Sequence, residues 1–250
     1  MKYLNEYIKV APMSLAFWRV LEANALGKVK LSRPILDIGC GFGEFSGVFF
    51  KSFVEVGVDI SERDLLLAKE KQKYKKLILA DARQLPFPNN KFKSVISISV
   101  LEHIPEVETV FPEIFRVLQP GGIFTFTVPT SVLNDALILP PPRGWWLKVY
   151  HWSFKHKVIL PKNTWINWCK KAGFEIKESS GTISRKQLLA FQAGLPLALP
   201  SQIHRLFFTK RLIVLTSFRR WLLRKVIYIL GETSTPSDAN IIIIAQKPKS

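Results

Sequence analysis

The 250-residue chain is 48% hydrophobic and 22% charged, the balance of a single large globular domain, which excludes long disorder. Two cysteines, Cys40 and Cys169, stand far apart and outside any C-x-x-C spacing. They exclude a disulfide framework and a cysteine-based zinc site, and they make a reduced, cytoplasmic setting the expectation.

The net charge of +17 is unevenly placed. Residues 1–135 carry 17 Lys/Arg against 15 Asp/Glu, whereas residues 136–231 carry 17 against only Glu175 and Glu178. The front half reads as a catalytic core, and the back half as a surface that meets something acidic. Behind its basic start the amino terminus has no unbroken apolar run, which argues against a leader peptide. No uncharged apolar stretch reaches ~18 residues, which argues against a spanning helix.

Residues 1–30 show helical spacing around Pro12, through Tyr3, Tyr7, Leu15, Trp18, Leu21 and Leu26. A first strand is expected at Ile35–Ile38 and a helix at 44–53. A second strand is expected at Val54–Asp59. Ser61, with Asp64 three residues on, predicts an N-cap opening a helix that runs through Lys76. A third strand follows at 77–80 and a fourth at 94–100, separated by a loop containing Pro86, Pro88, Asn89 and Asn90. A helix over 107–118 leads through Gln119-Pro120-Gly121-Gly122 to a fifth strand at 123–129.

Strand and helix alternate with short connections, which predicts right-handed crossovers and a parallel sheet covered on both faces. Ligands of such sheets sit at the carboxyl ends of the strands, where strand order reverses. Residues 130–163 are too long and too aromatic for a plain connection and read as a cap insertion. A short helix at 164–172, a sixth strand after Gly173-Phe174, a basic helical insertion over 185–230 and a closing strand at 240–247 complete the chain.

The segment Leu36-Asp37-Ile38-Gly39-Cys40-Gly41-Phe42-Gly43 runs an apolar strand into three alternating glycines, with an acid two residues ahead. Such a turn brings backbone close to a nucleotide-like ligand, and the acid suits one that also carries positive charge. A dinucleotide fingerprint would need Gly or Ala at position 44. Glu44 there would set a carboxylate against a pyrophosphate. Asp59, ending strand two, can accept from both ribose hydroxyls. Asp81-Ala82 after strand three can read an adenine edge, or be an ordinary loop acid.

These motifs are followed by Ser-Val-Leu-Glu-His-Ile and Leu-Gln-Pro-Gly-Gly. Taken in that order, the set resembles the class I S-adenosylmethionine-dependent methyltransferases, in the branch of quinone-pathway and other small-molecule enzymes. The resemblance covers residues 30–130, the cofactor-binding core, together with Gly173-Phe174 and the last strand. It implies a Rossmann-like seven-stranded, mostly parallel sheet with helices on both faces and the last strand antiparallel.

It further implies that Asp37 and the loop Gly39, Cys40, Gly41, Phe42 and Gly43 hold the methionine part of S-adenosylmethionine. Asp59 would hold the ribose and Ile60 would pack on the adenine. Asp81 and Ala82 would read the adenine edge, and Ser99 and Val100 would line the sulfonium. His103, after strand four, and His151, in the cap, are rival candidates for a proton acceptor. The other reading of His103 is a helix-start residue with a satisfied ring. No metal is implied.

Residues 218–230, projected as a helix, group Leu222, Leu223, Val226, Ile227, Ile229 and Leu230 opposite Arg220, Arg224 and Lys225. That pattern fits an interfacial helix on an anionic membrane, or a helix packed on the core with a basic rim. Trp145, Trp146 and Trp152 admit a lipid-facing belt, a substrate pocket or ordinary core.

The leading expectation is methyl transfer to a small or lipophilic acceptor, peripheral to a membrane. The rivals are an RNA methyltransferase, although the basic stretch lacks a recognisable RNA-binding module, a non-catalytic cofactor-binding or membrane-associated scaffold, and an oxidoreductase.

Overall fold

The computed structural model describes residues 3–195, 221, 225 and 235–249. The segment 218–230 therefore lies, apart from Trp221 and Lys225, outside the described residues. Seven strands form one sheet in the order β3-β2-β1-β4-β5-β7-β6. They are β1 (Ile35–Ile38), β2 (Val54–Asp59), β3 (Tyr74–Leu79), β4 (Phe92–Ile98), β5 (Leu118–Pro129), β6 (Glu175–Ser184) and β7 (Pro236–Gln246). β1 to β5 pair in parallel, and β7 runs antiparallel between β5 and β6. Strand order reverses between β1 and β4, so a crevice opens there at the strands' carboxyl ends.

The helices are α1 (Leu4–Val10), α2 (Met13–Leu26), α3 (Glu44–Phe49), α4 (Glu62–Glu70), α5 (Val110–Val117), α6 (Ser131–Ala136), α7 (Arg143–Ser153) and α8 (Lys162–Lys171). A further helix, α9, covers residues 185–195. Pro12 separates α1 from α2, as its missing N–H and fixed φ require. On one face of the sheet, α2 sets Leu26 against Ile96, Ile98 and Ile242. On the other, α5 and α8 bury Phe111 and Trp165 against Phe124 and Phe126. Burying each such side chain is worth about 1.5–3 kcal/mol.

Several boundaries differ from the sequence expectation: the helix expected at 44–53 ends at Phe49, the fourth strand runs Phe92–Ile98 rather than 94–100, and the closing strand starts at Pro236 rather than 240. The fourth helix ends at Glu70 rather than Lys76, because Gln72 takes a left-handed φ of 50° and Tyr74 already pairs with Val54. β5 begins at Leu118, drawing Gln119-Pro120-Gly121-Gly122 into the strand. β6 extends to Ser184 along β7. The Ser61 N-cap is present: its hydroxyl accepts from the Asp64 N–H at 3.2 Å.

Candidate active site

The glycine turn sits at the point of strand reversal. Gly39, Gly41 and Gly43 have φ of 70°, 50° and 74°. The Gly39 and Cys40 N–H groups both donate to the Val58 carbonyl, at 2.8 and 3.0 Å, pinning the loop to β2. At Gly41 a side chain would project into open space. Val100 stands over Gly39 so closely that an added Cβ would lie 2.2 Å from Cγ1. Cys40 is buried, and burial pushes its thiol pKa up, so it packs the turn as a neutral group.

Three carboxylates mark the tips of β1, β2 and β3. Asp37 is buried, and its Oδ2 accepts from the Ser46 hydroxyl at 2.5 Å and the Tyr74 hydroxyl at 2.6 Å. Desolvation outweighs those hydrogen bonds and moves its pKa up to about 6. Asp59 accepts from the Gly41 N–H at 2.7 Å through Oδ2 and from the Ser61 N–H at 2.9 Å through Oδ1. The same acid therefore shapes the glycine turn and holds the Ser61 N-cap of the next helix. Asp81 is gripped by Arg83, with Nη2 at 2.7 Å, and this pairing lowers its pKa. Ala82 is buried behind it. Ile60 is 72% exposed, a bare apolar side chain beside Asp59.

A second network lies at the ends of β4 and β5, and the sequence reading missed it. Glu22 on α2 is fully buried and reaches the tips of β4 and β5. Its Oε1 accepts from the Ser99 hydroxyl at 2.5 Å and the Thr127 hydroxyl at 2.7 Å, while Oε2 pairs with Arg19 at 2.8 Å. Ser99 is held at a left-handed φ of 51°. Its hydroxyl is thus engaged by Glu22, and the backbone and Val100 are what Ser99-Val100 present to the crevice. The one available signal was an i,i+3 charged pair inside a helix whose Ala16, Val20 and Ala23 are all buried.

The histidines gather beside Glu102. His103 Nδ1 lies 3.1 Å from the Lys155 carbonyl, which fixes that nitrogen as the donor and leaves Nε2 with its lone pair. Nε2 faces Glu102 Oε1 at 3.9 Å. Glu102 is buried with Oε2 unpartnered, and desolvation raises its pKa to about 8. His156, which the sequence reading did not single out, joins the two predicted histidines. Its Nδ1 lies 3.0 Å from His151 Nδ1, and its ring stacks on His103 at 5.5 Å. His151 Nε2 meets Asn134 Oδ1 at 2.8 Å.

Burial lowers the pKa of all three, and that of His156 reaches about 3 with help from its two neighbours. Two N–H groups, those of Lys157 and Val158, donate to the Glu102 carbonyl at 2.8 and 3.1 Å. They tie this end of the cap to the short 3-10 turn Leu101–His103. Trp145 and Trp152 are exposed, so they are not ordinary core. Among the described residues, no three His, Cys, Asp or Glu side chains converge as metal ligands, and no helix is long and apolar enough to cross a membrane.

The topology, the reversed β7 and the glycine turn at the β1/β4 crevice define the Rossmann-like class I methyltransferase fold. Residues 36–126 match the methyltransferase domain family, and this core is a methyltransferase domain of the S-adenosylmethionine-dependent class. The chain is 34% identical over 105 residues to a sterol 24-C-methyltransferase of Pneumocystis carinii, covering 38% of this chain and 28% of that protein. It is 33% identical over 119 residues to the 27-O-demethylrifamycin SV methyltransferase of Amycolatopsis mediterranei, covering 44% and 41%. An uncharacterised protein of Methanocaldococcus jannaschii is 37% identical over 148 residues, covering 58% and 57%.

The matched segment thus spans well under two thirds of these relatives. Among solved structures, the [4+2]-cyclase SpnF superposes with a TM-score of 0.61 at 19% identity, covering 94% of this chain and 82% of that one. The phosphoethanolamine N-methyltransferase 2 of Haemonchus contortus gives 0.57 at 21%, covering 93% and 52%. At these identities the likeness is one of fold.

The crevice fits S-adenosylmethionine. Gly41 faces open space, Ile60 offers an uncovered apolar face, and Asp59 stands beside both. Both side-chain hydrogen bonds to Asp37 fall on Oδ2.

Proposed function

We propose that this chain transfers a methyl group from S-adenosylmethionine to a small or lipophilic acceptor, and that it does so at a membrane surface. The observation that carries the first part is the coincidence of the open glycine turn and Asp59 at the point of strand reversal. Bound there, S-adenosylmethionine supplies a methyl group activated by a sulfonium. Asp37 faces the ammonium of its methionine part, and the Gly39–Gly43 loop, including Cys40 and Phe42, backs that part. Asp59 accepts from the ribose, and Ile60 packs on the adenine. Ala82 offers its backbone N–H to the ring edge, and Asp81 turns from Arg83 to the exocyclic amine. Val100, with the Ser99 backbone, walls the methyl.

The chain's contribution to the reaction is then positional. Holding two reactants in line and dry can supply about 7–11 kcal/mol of the barrier. Glu22 fixes the Ser99 turn, while α2 and the 130–163 segment enclose the acceptor side. Where the acceptor has a proton to lose, His103 takes it at Nε2, with His151 the alternative. Low histidine pKa values keep both rings neutral near pH 7.

The lipophilic acceptor class rests on the named activities of the sterol and rifamycin methyltransferases to which the chain is similar. The membrane reading rests on the basic back half of the chain. The test is incubation with radiolabelled S-adenosylmethionine and a fractionated cell extract. Label should move into the organic-soluble fraction. Label in RNA, or in nothing, would refute the acceptor class.

A further inference from the structure

Helix α7 carries two faces with opposite characters. On one, Tyr150 is buried and Leu147 is packed into the second apolar cluster with Phe154, which follows the helix. On the other, Trp145 and Trp152, seven residues and so two helical turns apart, are 55% and 80% exposed. Lys148, three residues beyond Trp145, lies exposed between them. Trp146 packs edge-on to Trp145 at 4.7 Å, and Ile138, in the loop before the helix, is 69% exposed.

This display is held in place. Gln192 clamps the Ile138 backbone through both its N–H, at 3.0 Å, and its carbonyl, at 2.6 Å. Arg143 laces the same loop by donating to the Leu137 and Asn134 carbonyls. The cap, residues 130–163, holds five Lys/Arg against one acid, Asp135, and exposed Arg143, Lys148, Lys155 and Lys157 fringe the aromatic patch. Exposed tryptophans fringed by an excess of cations match the interface of an anionic bilayer, where indole rings sit at headgroup depth.

We propose that the outer face of α7, with Ile138, is the surface by which this protein docks on an anionic lipid bilayer, and that this surface adjoins the acceptor site. The inference rests on the membrane reading above and assigns it a place. The flank of the same helix, about 100° round from the tryptophans, holds His151, bonded to Asn134 and His156, so the histidine cluster lies within about one helix diameter, ~10 Å, of the lipid face. A lipid-dissolved acceptor would enter sideways rather than cross water.

The experiment is cosedimentation of the full chain with vesicles of phosphatidylcholine alone or mixed with phosphatidylglycerol, without cofactor. Binding is expected only with the anionic lipid and should weaken as salt rises. Lys148→Gln with Lys155→Gln should lower affinity about 25-fold, at about fivefold for each cation near the surface. Trp145→Ala with Trp152→Ala should abolish most of the remainder while leaving the melting temperature unchanged, because both side chains are exposed. S-adenosylmethionine affinity, measured separately by calorimetry, should not change in either variant.

Unchanged vesicle binding in both variants would overturn the proposal. So would loss of binding confined to a variant of Arg220, Arg224 and Lys225, which would move the contact to 218–230. Loss of RNA affinity rather than vesicle affinity would make the face a nucleic-acid surface and equally overturn it. If cofactor binding fails while vesicle binding behaves as expected, the catalytic reading falls and the docking face stands.

Discussion

Gly39→Ala probes the turn at its tightest point. Two costs follow from the structure. Alanine at φ 70° is left-handed, which costs about 1–2 kcal/mol. Its Cβ would also fall 2.2 Å from Val100 Cγ1 and 2.8 Å from Val100 Cβ, and relieving such overpacking typically costs about 1–3 kcal/mol. Together these give about 2–5 kcal/mol, or a fall in melting temperature of roughly 4–20 °C for a chain of this size. Thermal unfolding by circular dichroism measures it.

A second substitution separates the terms. Val100→Ala removes the two methyl groups that clash most and leaves the 2.8 Å approach to Val100 Cβ, so the double variant Gly39→Ala/Val100→Ala should recover most of the steric part and retain the dihedral part. The coupling between the two sites should be at least 1 kcal/mol, well above the ~0.5 kcal/mol within which independent sites add. A Gly39→Ala protein within ~0.5 kcal/mol of the parent, or strictly additive variants, would refute the assigned contact between the glycine turn and the end of β4.

Asp59→Ala removes a carboxylate whose charge-assisted hydrogen bonds are each worth about 1.5–3 kcal/mol, so S-adenosylmethionine affinity should fall roughly ten- to hundredfold by calorimetry, with Asp59→Asn intermediate. Glu22→Ala should destabilise the protein by about 3–5 kcal/mol in urea unfolding, since it strands Arg19 and releases Ser99 and Thr127. Replacing Arg19 and Glu22 together with Met and Leu should recover most of that loss; no recovery would mean that the ion pair is not the cause.

Glu102 has a folded-state pKa of about 8 against an ordinary 4.5, so the native state holds the proton more tightly. Its contribution to stability is full below pH 4.5 and is lost as pH rises through 8. Glu102→Gln, isosteric with the protonated acid, should therefore gain stability relative to the parent progressively between pH 5 and 9; a gap that does not change with pH would contradict the assignment. His156 has the opposite sign. Its folded pKa of about 3 makes its contribution present above the ordinary 6.5 and lost as pH falls toward 3, so His156→Gln should flatten the acid limb of the stability profile.

What was legible in the sequence was local. The glycine turn, the Ser61 cap and the acids at strand ends sit within a few residues of the features that define them, and the alternation of strands and helices with short connections marked the parallel sheet. The boundary at Lys76 failed because the basic run 71–76 has helical propensity, while the ladder to Val54 decides in favour of strand. Gln119-Pro120-Gly121-Gly122 read as a turn because glycine and proline usually break strands, yet a register shift between Phe92 and Ser94 accommodates them. The Glu22 network joins residues 77 and 105 positions apart, and no pattern within one window reports it. His156 was invisible for the same reason: its partners are defined by the docking of residues 157–158 on Glu102. Aromatic composition correctly marked the 130–163 segment as unusual but gave no direction, and two of its tryptophans face out rather than in.

The most direct test titrates S-adenosylmethionine or S-adenosylhomocysteine into the full chain in a calorimeter, with Asp59→Ala alongside. The account requires saturable one-to-one binding to the parent and a marked loss with the variant. Neither heat nor stabilisation at millimolar nucleoside, or parent-like affinity in the variant, would contradict the claim that the crevice at the reversal of strand order is an S-adenosylmethionine site.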